Sequence, residues 1–170
     1  MKKSQNETLH ELFLTKLQSL LDIENQITQA LPKLVKKASS PMLKEAFSEH
    51  LEETRAQANK LTQIFESLGE RPTKLKSEGI RGITADAEWV MQNISSPESL
   101  DAALIAAAQY VEHYEIAGYG TAKEWAKLMG HNKEAEILNE ILQEEKAANK
   151  KLNQLAIKEI NKKVKSGIEL

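Results

Sequence analysis

The chain contains no cysteine, few aromatic residues (5%), almost no net charge (−2) and no long apolar run at its N-terminus. Without cysteine there is no disulfide, thiol nucleophile or thiolate metal site, so any bound metal must use oxygen and nitrogen donors. A near balance of 23 basic and 25 acidic residues gives nucleic acid nothing to be drawn to. The opening MKKSQNETLHELF has two lysines but no apolar stretch behind them. It reads as neither a secretory signal nor a membrane span, and the expected location is the cytoplasm.

What remains is an ordinary soluble balance, 41% hydrophobic and 28% charged over 170 residues. That length suits one domain, 1–170, with a substantial core. Leu, Ala, Glu and Lys are common, which favours helices. In the first segment Leu9, Phe13, Leu17, Leu20, Glu24, Ile27, Leu31 and Leu34 recur at helical steps, with Glu24 the one charge among them. This predicts a helix over about 8–38, kinked at Pro32. Ser40 as N-cap and Pro41 at the first helical position open a second, over 41–68, which Gly69 stops. Its stripe of Leu43, Phe47, His50, Thr54, Gln57, Leu61, Ile64 and Leu68 is polar only in the middle, with Glu53 beside it. Residues 70–99, broken by Gly79, Gly82 and Pro97, read as a long crossover with one short helix at about 83–94. Ser99 or Asp101 then opens a helix over 101–129. After a turn at Gly130, a last helix covers 133–162, with the stripe Ile137, Ile141, Glu144, Ala148, Leu152 and Leu155 and a frayed tail beyond. The predicted fold is all-α, an antiparallel four-helix bundle of two hairpins joined by a crossover that carries a short extra helix.

The third long helix poses the chemical question. Glu112 and Glu115 are three residues apart, so a helix turns both to one face. Glu115 falls in the otherwise apolar or small stripe Leu104, Ala108, Val111, Glu115, Gly118, Ala122, Trp125. A carboxylate there is costly unless it is protonated, paired or bound to metal. An internal repeat generalises the problem. Shifting the chain by 91 residues aligns Glu24 with Glu115 and Glu53 with Glu144. The same shift pairs Lys36 with Lys127, Glu45 with Glu136, Glu49 with Glu140, Leu51 with Leu142, Ala56 with Ala147, Lys60 with Lys151, Leu61 with Leu152 and Gln63 with Gln154.

Two related hairpins with one inward glutamate per helix would gather four carboxylates at mid-bundle, and two divalent cations would balance them. Bundle-core carboxylate centres use that solution, with Glu-x-x-His on two helices. Here Ala56 and Ala147 stand where those histidines would be. His50 instead precedes Glu53 by one turn, and its repeat counterpart is Ile141. Glu112 can supply the missing donor. The expected metal ligands are therefore Glu24, His50, Glu53, Glu112, Glu115 and Glu144, holding two iron or manganese ions. Tyr119, one turn beyond Glu115, could hydrogen-bond a ligand or simply pack. The competing reading is a structural cluster of paired or protonated carboxylates, with His50 as a core histidine and Glu112 leaning outward.

The segments DAALIAAAQYVEHYEIAGYGT, HLEET, LQEEKAANKKL and SSPMLKEAF, with Leu31-Pro32-Lys33, resemble the YciF family of bacterial stress-response proteins. The resemblance spans nearly the whole chain and is weakest over 70–97. It implies a ferritin-like bundle with a dinuclear metal centre, commonly a homodimer. The function expected from the centre and the resemblance together is handling of peroxide or oxygen under stress, with no nucleic acid or membrane partner. The alternative is a non-enzymatic helical stress or interaction protein that keeps the bundle without turnover.

Overall fold

The computed structural model describes residues 8–166, and all regular structure among them is helical. The N-terminal segment 1–7 and the last residues 167–170, part of the tail expected to fray, lie outside the described residues. Helix α1 spans Leu9–Lys37, α2 Pro41–Ser67, α3 Glu78–Asn93, α4 Pro97–Leu128 and α5 Asn132–Leu155. A π-helical turn, Ala156–Ile160, and the short α6, Asn161–Ser166, continue α5. The fourth long helix therefore covers the span its periodicity predicted, with a π-helical turn inside it, and the chain beyond Lys162 stays helical as far as Ser166.

α1 starts at a capping box. The Glu11 N–H donates to Thr8 Oγ1 (3.2 Å) and the Thr8 N–H to Glu11 Oε2 (2.7 Å), so two otherwise unpaired amides are satisfied. The helix runs unbroken through Pro32. The two tight hairpin turns end differently. Gly130 takes φ +81° after α4, a left-handed conformation open to glycine at little cost. The start of α2 is not capped by its own Ser40. Instead the buried Asp101 reaches over from α4 and accepts from the Ser39 N–H (2.7 Å), the Ser39 hydroxyl (2.6 Å) and the Ser40 N–H (2.8 Å). Asp101 does not open α4, which begins four residues earlier with Ser96 as N-cap and Pro97 at the first position.

α1 packs along α2 and α4 along α5. The hairpins close on each other through α1 against α4 and α2 against α5, while α3 lies over α1 and α4. Close approach of α1 to α4 needs Gly118, where a Cβ would stand 2.8 Å from Leu20 Cδ2. One apolar core runs through the bundle, from Phe13, Leu17 and Leu138 to Leu104, Ile105 and Leu43. Burying such side chains contributes about 1.5–3 kcal/mol each. Apart from the buried Ser40, Ser77 and Asp101 near helix ends, the exceptions to this apolar filling lie midway along the helices, and they make the site. No helix among the described residues is long and apolar enough to cross a membrane.

Candidate metal centre

Each helix of the four-helix frame turns at least one polar side chain inward at the same level. α1 brings Glu24, α2 His50, Thr54 and Gln57, α4 Glu112, Glu115 and Tyr119, and α5 Glu145. All are buried; Glu24 and Glu145 are 0% exposed, and Glu112 and Glu115 1%. The spacings explain this. Glu112 and Glu115 flank one helical face, while Glu145 sits seven residues from both Leu138 and Leu152, two turns away on the core side.

Single ligand atoms of His50, Glu112, Glu115 and Glu145 all lie within 4.8 Å of one another, a spread one cation could gather. Glu24 joins from α1, its Oε1 accepting a hydrogen bond from the Tyr119 hydroxyl. Gln57 Nε2 donates to Glu145 Oε1 at 2.5 Å and to Glu144 Oε2 at 3.1 Å. His50 Nε2 is 3.2 Å from Glu112 Oε1, and its Nδ1 is 3.5 Å from Glu53 Oε2. Neither nitrogen has the alignment of a hydrogen bond.

The protein leaves much of this cluster unpaired. Glu24 Oε2, Glu112 Oε2, both Glu115 oxygens, Glu145 Oε2 and both ring nitrogens of His50 are buried without a hydrogen-bond partner. Buried polar atoms are ordinarily satisfied, since each orphan costs about 1–3 kcal/mol. The proton affinities follow from the same crowding. Burial, then the neighbouring Glu145, pushes Glu24 up to about 8. Burial also drives Glu112 to about 9, with His50 opposing and Glu145 and Glu24 adding to the rise. Glu115 is held well above the carboxylate range by burial and by Glu24, Glu145 and Glu112. Glu145 is raised by burial, with His50 and Glu112 pulling the other way. Burial lowers the affinity of His50 for a proton, but Glu53, Glu112 and Glu145 outweigh it and bring the imidazole to about 9. Tyr119 is pushed up by burial and by Glu24.

The structure brings together Glu24, His50, Glu112 and Glu115 of the residues singled out from the sequence. Glu53 and Glu144 stand outside the buried group. The Glu53 side chain is 52% exposed beside His50, which holds its carboxyl below the usual range. Glu144 is paired with Lys60 Nζ at 2.8 Å. Both border a pocket of about 190 Å³ between α2 and α5, whose wall includes Glu49, Lys151, His50 and Glu112. The glutamate that α5 sends into the cluster is Glu145. Its heptad spacing from Leu138 and Leu152 was available in the sequence, but the adjacent Glu144 also fits a helical stripe and alone matches the repeat. The aligned register itself holds. Glu53 and Glu144 flank the same mouth, while the buried counterpart of Glu145 is Thr54, whose hydroxyl donates to the His50 carbonyl at 2.8 Å. Four carboxylates and an imidazole form an oxygen-and-nitrogen donor set, and a cation would pair the orphaned atoms, so the residues fit a metal ion of the borderline-hard kind.

Comparison with known proteins agrees with this architecture. The family model described as domain of unknown function DUF892 matches residues 8–165. The protein YciF of Escherichia coli strain K12 is 42% identical over 161 residues, covering 94% of this chain and 97% of YciF. The crystal structure of the E. coli stress protein YciF superposes with a TM-score of 0.89 at 41% identity, over 92% of this chain and 99% of that one. YcfI from Rhodopseudomonas palustris gives 0.86 at 40% identity, over 90% and 98%. A protein from Xanthomonas campestris, at 21% identity and a TM-score of 0.70, shares the fold. The chain belongs to the DUF892 family and is similar along nearly its whole length to the protein YciF of E. coli.

Proposed function

We propose that the buried cluster is a ferritin-like dinuclear centre for iron or manganese that handles peroxide or oxygen under stress. The observation that carries this reading is the convergence of five orphaned carboxylate oxygens and an unpaired imidazole at mid-bundle. While the cluster holds protons, Glu24 can pair with Glu115 and Glu112 with Glu145; cations would take the place of those protons. Four carboxylates would neutralise two divalent ions, and Glu24, His50, Glu112, Glu115 and Glu145 are the residues that would hold them. When bound, such a pair would supply two redox-active ions able to exchange electrons with peroxide or oxygen.

The surrounding residues prepare the donors. Tyr119 donates to one oxygen of Glu24 and leaves the other facing inward. Gln57 does the same for Glu145, so each carboxylate keeps a fixed orientation. Glu53 lies on the Nδ1 side of His50, which leaves Nε2 on the Glu112 side for a cation. The raised proton affinities mean that the carboxylates hold protons until cations displace them. Metal binding should therefore release protons. The pocket between α2 and α5, with Glu49, Glu53 and Glu144 in its wall, gives cations an acidic way in.

The test is consumption of hydrogen peroxide and of dissolved oxygen by protein loaded anaerobically with iron(II) or manganese(II). Turnover above that of the free metal, lost in Glu115→Gln, is expected. Loaded protein that consumes neither oxidant would leave a non-catalytic stress or interaction protein.

A further inference from the structure

A second cavity meets the cluster from the opposite side. It is small, about 30 Å³, and is walled by α1, α3 and α4 through residues such as Ile27, Leu31, Ala87, Ala108 and Val111. It shares His50 and Glu112 with the acidic pocket between α2 and α5, and no other residue. One pair of side chains thus separates a charged approach from an apolar one. Apart from that pair, Thr84 is the polar side chain in its wall, and the Thr84 hydroxyl is already donating to the Ile80 and Arg81 carbonyls (3.0 and 3.1 Å). A space this size has room for a molecule of two heavy atoms; water needs two to four polar partners, which here His50 and Glu112 supply at the inner end and the apolar remainder does not. Hydrogen peroxide needs as many. A small neutral molecule without hydrogen-bonding groups loses nothing there. Ala30, Thr84 and Val111 are half-buried, so the outer end opens toward the surface beside α3, the helix of the crossover.

We propose that this cavity binds dioxygen and presents it to the His50–Glu112 side of the cluster, while ions and peroxide use the acidic mouth. The inference rests on the cluster being an oxidant-handling centre, and it gives α3 a role beyond connection. It can be tested on protein free of redox metal, with no turnover required. Dissolved oxygen is paramagnetic and speeds the relaxation of nearby methyl protons. Under oxygen pressure, the methyls of the buried Ile27 and Leu31 should relax several-fold faster than those of the buried Leu61 and Ile64, which line neither cavity. Ala87→Leu fills the cavity from α3 and Ala30→Leu from α1; either should erase the difference without changing manganese stoichiometry. Uniform enhancement across these methyls, or cross-relaxation from water into the cavity, would overturn the proposal. Selective enhancement in a protein that binds no manganese would keep the cavity and remove the centre. Uniform enhancement in a protein that binds manganese would do the reverse.

Discussion

The two hairpins share a register but not a chemistry. At mid-bundle α1 and α2 supply one buried carboxylate, Glu24, with His50, Thr54 and Gln57; α4 and α5 supply three, Glu112, Glu115 and Glu145. Positions related by the repeat remain related in space. Glu24 and Glu115 both face the interior, and Glu53 and Glu144 both edge the pocket. At the position where α5 buries Glu145, α2 buries Thr54; where α2 places His50, α5 has Ile141. The repeat thus sets which positions face inward, and substitution within that frame sets what they do there. The acidic half alone would be a stack of mutually repelling carboxylates, and the imidazole and amide of the other half partly relieve it.

The largest expected effect is on stability against pH in the metal-free protein. Glu24 and Glu112 bind their protons more tightly in the folded chain, at about 8 and about 9 against an ordinary 4.5. The stability they contribute is complete below pH 4.5 and is lost as pH rises through those values. His50, raised from 6.5 to about 9, has the same sign: its contribution is complete below 6.5 and lost as pH passes 9. Urea denaturation should therefore show stability falling steadily from about pH 5 to about pH 9. In manganese-loaded protein the slope should flatten, because the cation replaces the protons. A metal-free protein most stable at pH 9 would contradict this charge assignment.

Substitution separates the inward positions from those at the mouth. Glu115→Gln and Glu145→Gln should weaken manganese binding by more than about 100-fold, beyond the usual effect of residues that only orient a ligand. Glu144→Gln should leave stoichiometric binding in place. Equal losses at 144 and 145, read by equilibrium dialysis, would mean that the helix face is misassigned.

The hairpins are also joined by Asp101, which caps α2 from α4 with three hydrogen bonds. Asp101→Ala should cost about 2 kcal/mol, since it leaves the buried Ser40 amide and the part-buried Ser39 amide and hydroxyl unpaired. Thermal unfolding would measure this, and no change in midpoint would show that water replaces the carboxylate without loss. A smaller effect is expected where one half orients the donors of the other. Gln57→Ala should lower manganese affinity about tenfold, at the low end for an orienting partner, and retain full stoichiometry.

Much of the frame was legible in the chain. The inward stripes of α1 and α2 follow directly from apolar residues at three- and four-residue spacing, and Glu24, His50 and Glu115 interrupt such stripes visibly. Three features were harder to read, each for a physical reason. Glu144 and Glu145 are neighbours about 100° apart on a helix, and either satisfies a loose apolar stripe. Only packing against α2 and α4 decides between them. Asp101 resembles a local N-cap because Ser, Asp and Pro cluster near it, but its partners are some sixty residues away in sequence. α3 begins at Glu78 rather than near 83 because Gly79 is tolerated inside the helix, where it makes room for the Tyr114 ring.

The central claim, that the orphaned carboxylates and His50 exist to hold cations, is tested most directly by metal content per chain. Protein purified without chelator or affinity metal would be measured by elemental mass spectrometry. About two iron or manganese atoms per chain are expected, as in bundle-core carboxylate centres. No bound metal, even after anaerobic reconstitution with either ion, would contradict the account and leave a protonated structural cluster in its place.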